Sequence, residues 1–393
     1  MKIALVSPYD FSVPGGVNSH IAHLAENFLA LGQDVQIIAP ASRPREVPPG
    51  VVVVGRPIAI PASGSVARIA FSLRLAPRVK RILAEEEFDI VHIHEPFMPF
   101  LPVQFLRYSE AINVATFHAA KERDASRWYA YGRRVLRRWF RRLDGKIAVS
   151  LPAMRLVSRY FPGYFNIIPN GVNVAHFSAP LEPLPQYCDG RPNILFVGRP
   201  EKRKGLAYLL RAFVRVKEEI PEARLIVVGA GNFDRYRRSM ERAGVRDIHF
   251  VGWVSYQDLP RYHRTAHVFC APATGNESQG IVLLEAMAAG TPIVASNIEG
   301  YASVLTHGVE GLLVLPKEAE ALAEALIHLL SDEERRRAMG EQGRLLAEEY
   351  SWERISQRVL SYYERLLHER QLTVPAAEGV AGLGAAAAEP TAS

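Results

Sequence analysis

Two glutamates eight residues apart, Glu277 and Glu285, bracket the start of an apolar run in Asn276–Pro292, NESQGIVLLEAMAAGTP. Ser278 and Gly280 suit a turn that opens a helix, IVLLEAMAA is a strong helix-former, and Gly290 with Pro292 stops it before a strand at Ile293–Ser296. The backbone N–H groups of Ser278–Val282, those of Gly280 and Ile281 among them, are then unpaired helix-start donors. They carry roughly half a positive charge and suit a phosphate. A diphosphate would repel carboxylates beside it, so Glu277 and Glu285 are better employed accepting hydrogen bonds from hydroxyls. A nucleotide diphosphate sugar has hydroxyls at both ends. On spacing alone, Glu277 equally fits a helix cap and Glu285 a surface ion pair.

Other groups with chemical potential stand at strand ends. Gly15-Gly16 occupies a strand-to-helix switch, where glycine lets a backbone approach a phosphate or simply makes a tight turn. FVGRPEKRKG places Arg199, Lys202, Arg203 and Lys204 between a strand and a helix, as a diphosphate clamp or a solvated charge run. HIHEP puts His92 and His94 on one strand face, superficially a metal pair. No further ligand spacing accompanies them, and no Asp-x-Asp is present to hold a nucleotide-bound cation, so no metal site is expected. His118 ends ATFH at a strand's carboxyl edge, where open α/β sheets place ligands, though a lone histidine there is commonly structural. Cys188 and Cys270 have no metal spacing and fit a reducing compartment; Cys270, in HVFCAP, reads as a buried filler.

These groups need parallel α/β sheets to hold them, and short apolar runs alternating with helical stretches supply the pattern. Strands are expected at Ile3–Pro8, Val35–Ala39, Val51–Val54, Ile90–His94, Val114–His118, Lys146–Ser150 and Asn166–Ile168. A second set is expected at Asn193–Gly198, Arg224–Gly229, Ile248–Gly252, His267–Ala271, Ile293–Ser296 and Gly311–Val314. The Pro-rich segment Ser178–Pro192 reads as a linker between two sheets. A last helix runs from Ser351-Trp352 to about Glu369, and the Ala/Gly-rich tail Val374–Ser393 is expected to be disordered. A length of 393 residues, 48% hydrophobic and 22% charged, fits two globular domains with ample core. No signal peptide or spanning run is expected, which points to the cytosol.

The full stretch ESQGIVLLEAMAAGTPIVAS, with its E-x7-E, resembles the signature of retaining family-4 glycosyltransferases. PYDFSVPGGVNSH is similar to the start of their phosphatidylinositol mannosyltransferase branch. The resemblance implies an α/β fold of GT-B architecture, two Rossmann-like domains facing across a cleft. Residues 1–177 would form the acceptor-side domain, 178–192 the linker and 193–352 the nucleotide-sugar domain. The helix over 353–369 would cross back onto the first domain. Within that frame Glu277 holds the donor sugar's hydroxyls and Glu285 the ribose, while Arg199 and Lys204 neutralise the donor diphosphate. Val254, in FVGWVSYQDL, meets the base through its backbone. His118 is a sugar-side hydrogen-bond partner. Tyr9, Gly16 and Asn18 line the cleft, and Arg68, in SVARIAF, becomes a ligand for the acceptor phosphate, since a guanidinium grips a phosphodiester in a fork. SVARIAF by itself reads as an ordinary amphipathic stretch. The donor implied is GDP-mannose or another nucleotide sugar, with no other cofactor and no metal. The acceptor implied is phosphatidylinositol. Phe97 and Ala119 stand where that branch tends to carry polar side chains, and Asn18 where it has the longer glutamine.

Charge bears on the acceptor. Up to Gln186 there are 22 Lys and Arg against 14 Asp and Glu; the remainder has 25 against 27. A basic first half suits nucleic acid or an anionic membrane surface, and no zinc-finger, RRM or helix-turn-helix pattern favours the first. Arg74, Arg78, Lys80 and Arg81 surround one apolar helical stripe, and RRVLRRWFRRLDGK at Arg133–Lys146 interleaves six arginines with Val135, Leu136, Trp139 and Phe140. A single such helix reads as a solvated face, and two in one basic domain read as a membrane-surface element, peripheral at the inner face of the cell membrane. The alternatives are a UDP-sugar donor with another lipid or soluble acceptor, a nucleotide-sugar epimerase, and a non-catalytic membrane-surface or glycan-binding module. E-x7-E and the intact Arg/Lys pair favour transfer.

Overall fold

The computed structural model describes residues 1–62, 65–70, 75–120 and 124–373. Strands β1 (Lys2–Val6), β2 (Asp34–Ala39), β3 (Val51–Val53), β4 (Pro57–Ala62), β5 (Ser65–Ala70), β6 (Ile90–His94), β7 (Ile112–Phe117), β8 (Gly145–Ala148) and β9 (Asn166–Ile167) belong to the first half. All but β4 and β5 form one parallel sheet in the order β3-β2-β1-β6-β7-β8-β9. The second half contributes β10 (Asn193–Val197), β11 (Arg224–Val228), β12 (Ile248–Gly252), β13 (Val268–Ala271), β14 (Ile293–Ser296) and β15 (Gly311–Val314), again parallel, in the order β12-β11-β10-β13-β14-β15.

Both orders contain a switch. From β1 the chain winds out to β2 and β3, then returns to β6 on β1's other side; β10 and β13 stand in the same relation. The loops leaving the two strands at such a switch diverge and leave a crevice at the strands' carboxyl ends. The expected chemistry falls there. The loop after β1 carries Tyr9 and Gly16, β6 ends at His94, and the next strand, β7, delivers His118. In the second sheet the loop after β10 carries Arg199–Lys204, and the loop after β13 carries Glu277–Gly280.

Each sheet is covered on both faces. Alternation along β1 sends Ile3 and Leu5 into one core and Ala4 and Val6 into the other. The helix Trp352–Thr373 fills the first of these, with Trp352, Ile355, Val359 and Tyr363 packed beside Ile21, Phe28 and Ile90. The last helix thus crosses from the second sheet to the first. Gly171 accommodates it closely, since a Cβ there would lie 2.6 Å from the Trp352 ring.

The structure adds detail at three expected features. SVARIAF lies in part on β5, the second strand of an antiparallel hairpin with β4 that pairs Ala59 with Arg68. Pro57 and Pro61 hide β4, because proline signals a break, yet in a two-stranded ribbon a prolyl nitrogen can face outward at no cost. The linker docks on the second domain: Leu184 and Tyr187 are buried in its core, and the Leu184 N–H donates to Thr265 Oγ1 at 2.9 Å. Phe97 is core, ringed by Phe117, Tyr129 and Phe161. Cys270 is fully buried, as a filler would be. Arg74 and the tail Val374–Ser393 lie outside the described residues.

Candidate active site

The helix Ile281–Ala289 begins at Gly280, which holds a left-handed φ of 91°. A Cβ there would sit 2.6 Å from the Tyr301 ring, so only glycine permits both the turn and this packing. No side chain caps the helix start, which leaves its N–H groups available to an anion. Just ahead, Glu277 accepts from Lys204 Nζ at 2.9 Å and from the Arg203 guanidinium. Arg203 also pairs with Glu201 at 2.7 Å, and Arg199 with Glu201 at 2.8 Å. Gly205 brings this basic loop against the β13 loop; its φ is 75°, and a Cβ would fall 1.7 Å from the Pro272 carbonyl oxygen. Three cations, two carboxylates and an uncapped helix start therefore share one corner. Arg203 is the member that a site reading of the sequence misses, because nothing in a KRK run shows which cation turns inward.

Glu285 lies one to two turns into the same helix and has no hydrogen-bond or ion-pair partner among the described residues. Burial raises its carboxyl to about 7 from 4.5, and Lys204 partly offsets the shift. A carboxyl raised on folding stabilises the fold below its unfolded value and loses that contribution as pH climbs from about 4.5 to about 7. Glu285→Gln should therefore raise the melting temperature by a few degrees at pH 8, hardly change it at pH 4.5, and weaken the donor at both. Equal melting shifts at the two pH values would show that burial is not the cause.

On the first sheet, Asp10 N–H donates to the Arg68 carbonyl at 2.8 Å and Tyr9 bridges Ile69, so the β4–β5 hairpin is tied to the β1 loop. Tyr9 and Arg68 are brought together this way, and the Arg68 side chain is exposed with no ion pair among the described residues. Burial, with the Glu95 charge beside it, raises the Tyr9 phenol, which stays an O–H donor. At Gly16 an added Cβ would meet no atom of the described residues within 4 Å, so the space beside it is open. Asn18 is buried: its Oδ1 accepts from Ser7 Oγ at 2.8 Å, and its Nδ2 donates to the Asp10 and Val13 carbonyls at 2.8 and 3.2 Å. Its amide is spent in shaping the loop, so the expected cleft-lining side chain is turned to internal bonds instead. Val254 follows β12 and rests its side chain, partly buried, on the second core.

His118 is half-buried at the end of β7. Its Nε2 lies 3.0 Å from His94 Nδ1, and its backbone N–H donates to the buried Glu95 carboxylate at 2.7 Å, as does that of Ala119 at 2.9 Å. The His118 ring stands edge-on to His20, 4.8 Å between centroids. His20 is bonded to Asn170 at 2.9 Å, and Asn170 in turn pairs with Gln279 through its backbone and side-chain N–H groups, both at 2.7 Å. Ser150 and Ser278 add a 2.9 Å hydroxyl contact between the same two domains. The first domain's histidine is thereby fixed against the turn that bears Glu277. His20, Asn170 and Gln279 are functional neighbours that residue spacing does not expose; Gln279 lies inside the E-x7-E stretch, which was its one signal.

Residues 14–176 match the family model described as Glycosyltransferase Family 4, and residues 187–346 match Glycosyl transferases group 1. A phosphatidyl-myo-inositol mannosyltransferase of Mycobacterium leprae is 40% identical over 365 residues, 93% of this chain and 96% of that protein. A GDP-mannose-dependent monoacylated alpha-(1-6)-phosphatidylinositol monomannoside mannosyltransferase of Corynebacterium glutamicum is 33% identical over 210 residues, half of this chain and 55% of the other. Among solved structures, sucrose-phosphate synthase from Thermosynechococcus elongatus superposes with a TM-score of 0.71 at 23% identity, covering 94% of this chain and 99% of that one. That likeness shows the two-domain GT-B fold alone.

Proposed function

Because the chain belongs to the family-4 glycosyltransferases, within the group that includes the phosphatidyl-myo-inositol mannosyltransferases, we propose that it transfers mannose from GDP-mannose to phosphatidylinositol with retention of configuration. One observation carries the reading: a helix start, two cations and Glu277 on the second domain meet His118 of the first domain through the His20–Asn170–Gln279 chain. The mycobacterial relative is named for this acceptor and the corynebacterial one for this donor.

In this reading the diphosphate lies on the start of the helix Ile281–Ala289, and Arg199 and Lys204 neutralise it. As the bond to the sugar lengthens, charge builds on the leaving phosphate oxygen, where the two cations and the helix start stabilise it most. Glu277 accepts from sugar hydroxyls and His118 hydrogen-bonds the sugar from the opposite side. Glu285 takes the ribose. The attacking acceptor hydroxyl gives its proton to the departing phosphate oxygen on the same face, so no protein nucleophile is required. Tyr9, the Gly16 loop and Arg68 face the inositol phosphate.

Fixed cations take the place of a metal in this scheme, so turnover should survive EDTA. Complete loss on chelation, restored by Mn²⁺ or Mg²⁺, would contradict it. A panel of GDP-, UDP- and ADP-sugars, read by thermal shift and by hydrolysis, tests the donor: GDP-mannose should stabilise the protein most, and a clear preference for a UDP-sugar would replace it.

We place the reaction at the cytosolic face of the membrane, with the protein bound peripherally. Among the described residues no helix is long and apolar enough to cross a membrane. On the helix Asp124–Phe140, Leu136 and Phe140 turn into the core, while Tyr131 and Val135 are exposed beside Arg133, Arg134, Arg137 and Arg138. Exposed apolar and cationic side chains on one helix suit the headgroup boundary.

A further inference from the structure

Three imidazoles converge at the carboxyl ends of the first sheet's strands from separate elements: His20 from the helix Gly16–Ala30, His94 from the end of β6 and His118 from the end of β7. One ring nitrogen from each can be chosen so that all three lie within 4.8 Å of one another. The hydrogen bonds around them show where the protons are. Gln279 Oε1 accepts from the Asn170 backbone N–H at 2.7 Å, so that atom is an oxygen; the Asn170 side-chain atom facing it, also at 2.7 Å, must be the Nδ2 donor. Asn170 Oδ1 is therefore what faces His20 Nδ1 at 2.9 Å, and Nδ1 carries the His20 proton. His20 Nε2 is left as a lone pair. His94 Nδ1 and His118 Nε2, 3.0 Å apart, share one proton between them. His94 Nε2 is buried without a partner among the described residues. Each neutral imidazole, the form that binds metals, holds one proton and one lone pair, so the cluster offers three lone pairs, that of His20 on Nε2.

We propose that His20, His94 and His118 form a binding site for a borderline-soft divalent cation of the Zn²⁺ kind, and that its occupation inhibits the enzyme. Three neutral imidazoles without a carboxylate ligand select Zn²⁺, Ni²⁺ or Cu²⁺ over Mg²⁺. Glu95, the buried carboxylate next to His94, is committed to the His118 and Ala119 backbone N–H groups. The 3.0 Å between His94 Nδ1 and His118 Nε2 falls within the roughly 2.9–3.4 Å expected for neighbouring nitrogens around an ion at about 2.05 Å, while the trio's span of up to 4.8 Å exceeds the roughly 4.1 Å that such an ion can bridge, so one ring moves inward on binding. The Asn170 carbonyl oxygen behind His20 is the outer partner that a metal-bound histidine ordinarily has, fixing the ring with Nε2 inward. A bound cation holds the His118 ring away from the sugar, so transfer stops. That consequence rests on the proposed function; the binding does not.

The test starts from protein stripped with EDTA and titrated with ZnCl₂ against a chromophoric chelator, with CoCl₂ in parallel. One equivalent of Zn²⁺ should bind, Co²⁺ should give the intense visible bands of a four- or five-coordinate nitrogen site, and Mg²⁺ should not compete. His94→Gln and His20→Gln, each checked for folding by circular dichroism, should weaken Zn²⁺ by roughly tenfold or more. In the parent chain turnover should fall with the same midpoint as binding and return on adding EDTA. No stoichiometric Zn²⁺, a Co²⁺ spectrum like that of the hydrated ion, or undiminished binding in both variants would each overturn the site. Binding at this site with full turnover would overturn the inhibition. A chain that binds Zn²⁺ here but transfers no mannose would instead contradict the proposed function.

Discussion

Glu277→Ala should lower turnover by about three orders of magnitude, the scale of losing one preorganised group that acts in the transition state, while GDP binds at least as tightly as before. Two features give this pairing. In the proposed reaction Glu277 carries the contact to the reacting sugar, so its loss falls on the chemical step. In the structure the same carboxylate also neutralises Lys204, which the proposed reaction gives to the diphosphate, and its neighbour Arg203. A diphosphate must compete with Glu277 for them, and removing the carboxylate removes the competitor. Lys204→Ala should do the reverse to the product, weakening GDP by roughly ten- to a hundredfold as one charge-assisted contact is lost. Isothermal titration with GDP, set beside steady-state kinetics, separates the two effects. A folded Glu277→Ala protein with near-normal turnover would remove Glu277 from the chemistry. Parallel losses of GDP affinity and turnover would mean that it binds the diphosphate indirectly, by holding Lys204 in place.

The second large effect concerns the surface. Near an anionic leaflet each Lys or Arg contributes about 1 kcal/mol, so reversing two arginines removes about 4 kcal/mol, close to a thousandfold in vesicle binding. Arg137→Glu with Arg141→Glu is the informative pair. Both side chains are exposed, and neither has an ion pair among the described residues, so their replacement disturbs no internal contact. The variant should fail to sediment with phosphatidylinositol or phosphatidylglycerol vesicles at low salt, yet keep its affinity for GDP-mannose, whose ligands belong mainly to the second domain. Parent-chain binding should itself decline with salt. If the parent chain ignores anionic vesicles, or the variant binds them unchanged, these arginines are solvated surface.

Much of the architecture was legible because it is written locally. Runs such as IVHIH and ILFVG are short, apolar and spaced by helical stretches, and all thirteen expected strands are found with ends shifted by a few residues at most. E-x7-E was legible for the same reason, since its turn, helix and stop are contiguous. What the sequence concealed depends on pairing at a distance. β4 and β5 form a ribbon despite two prolines in β4, and only the partner strand makes sense of them. The HIH strand suggested a metal pair without a third ligand; the third and fourth histidines of that region, His20 and His118, arrive from a helix and from the neighbouring strand. Asn18 looked like a cleft residue by position, and only the bonds to Ser7, Asp10 and Val13 reveal that its amide is occupied. Arg203, indistinguishable within its basic run, is set apart by the fold of the loop that turns it onto Glu277.

The most direct measurement is the product itself. The purified chain would be incubated with GDP-mannose and vesicles containing phosphatidylinositol, and the extracted lipid analysed by mass spectrometry and by NMR of the anomeric proton. The account predicts phosphatidylinositol heavier by one hexose, joined through an α-mannosyl linkage to the inositol, and released GDP in equal amount. GDP and free mannose in place of glycolipid, a β-linkage, or transfer only to a water-soluble acceptor would contradict it.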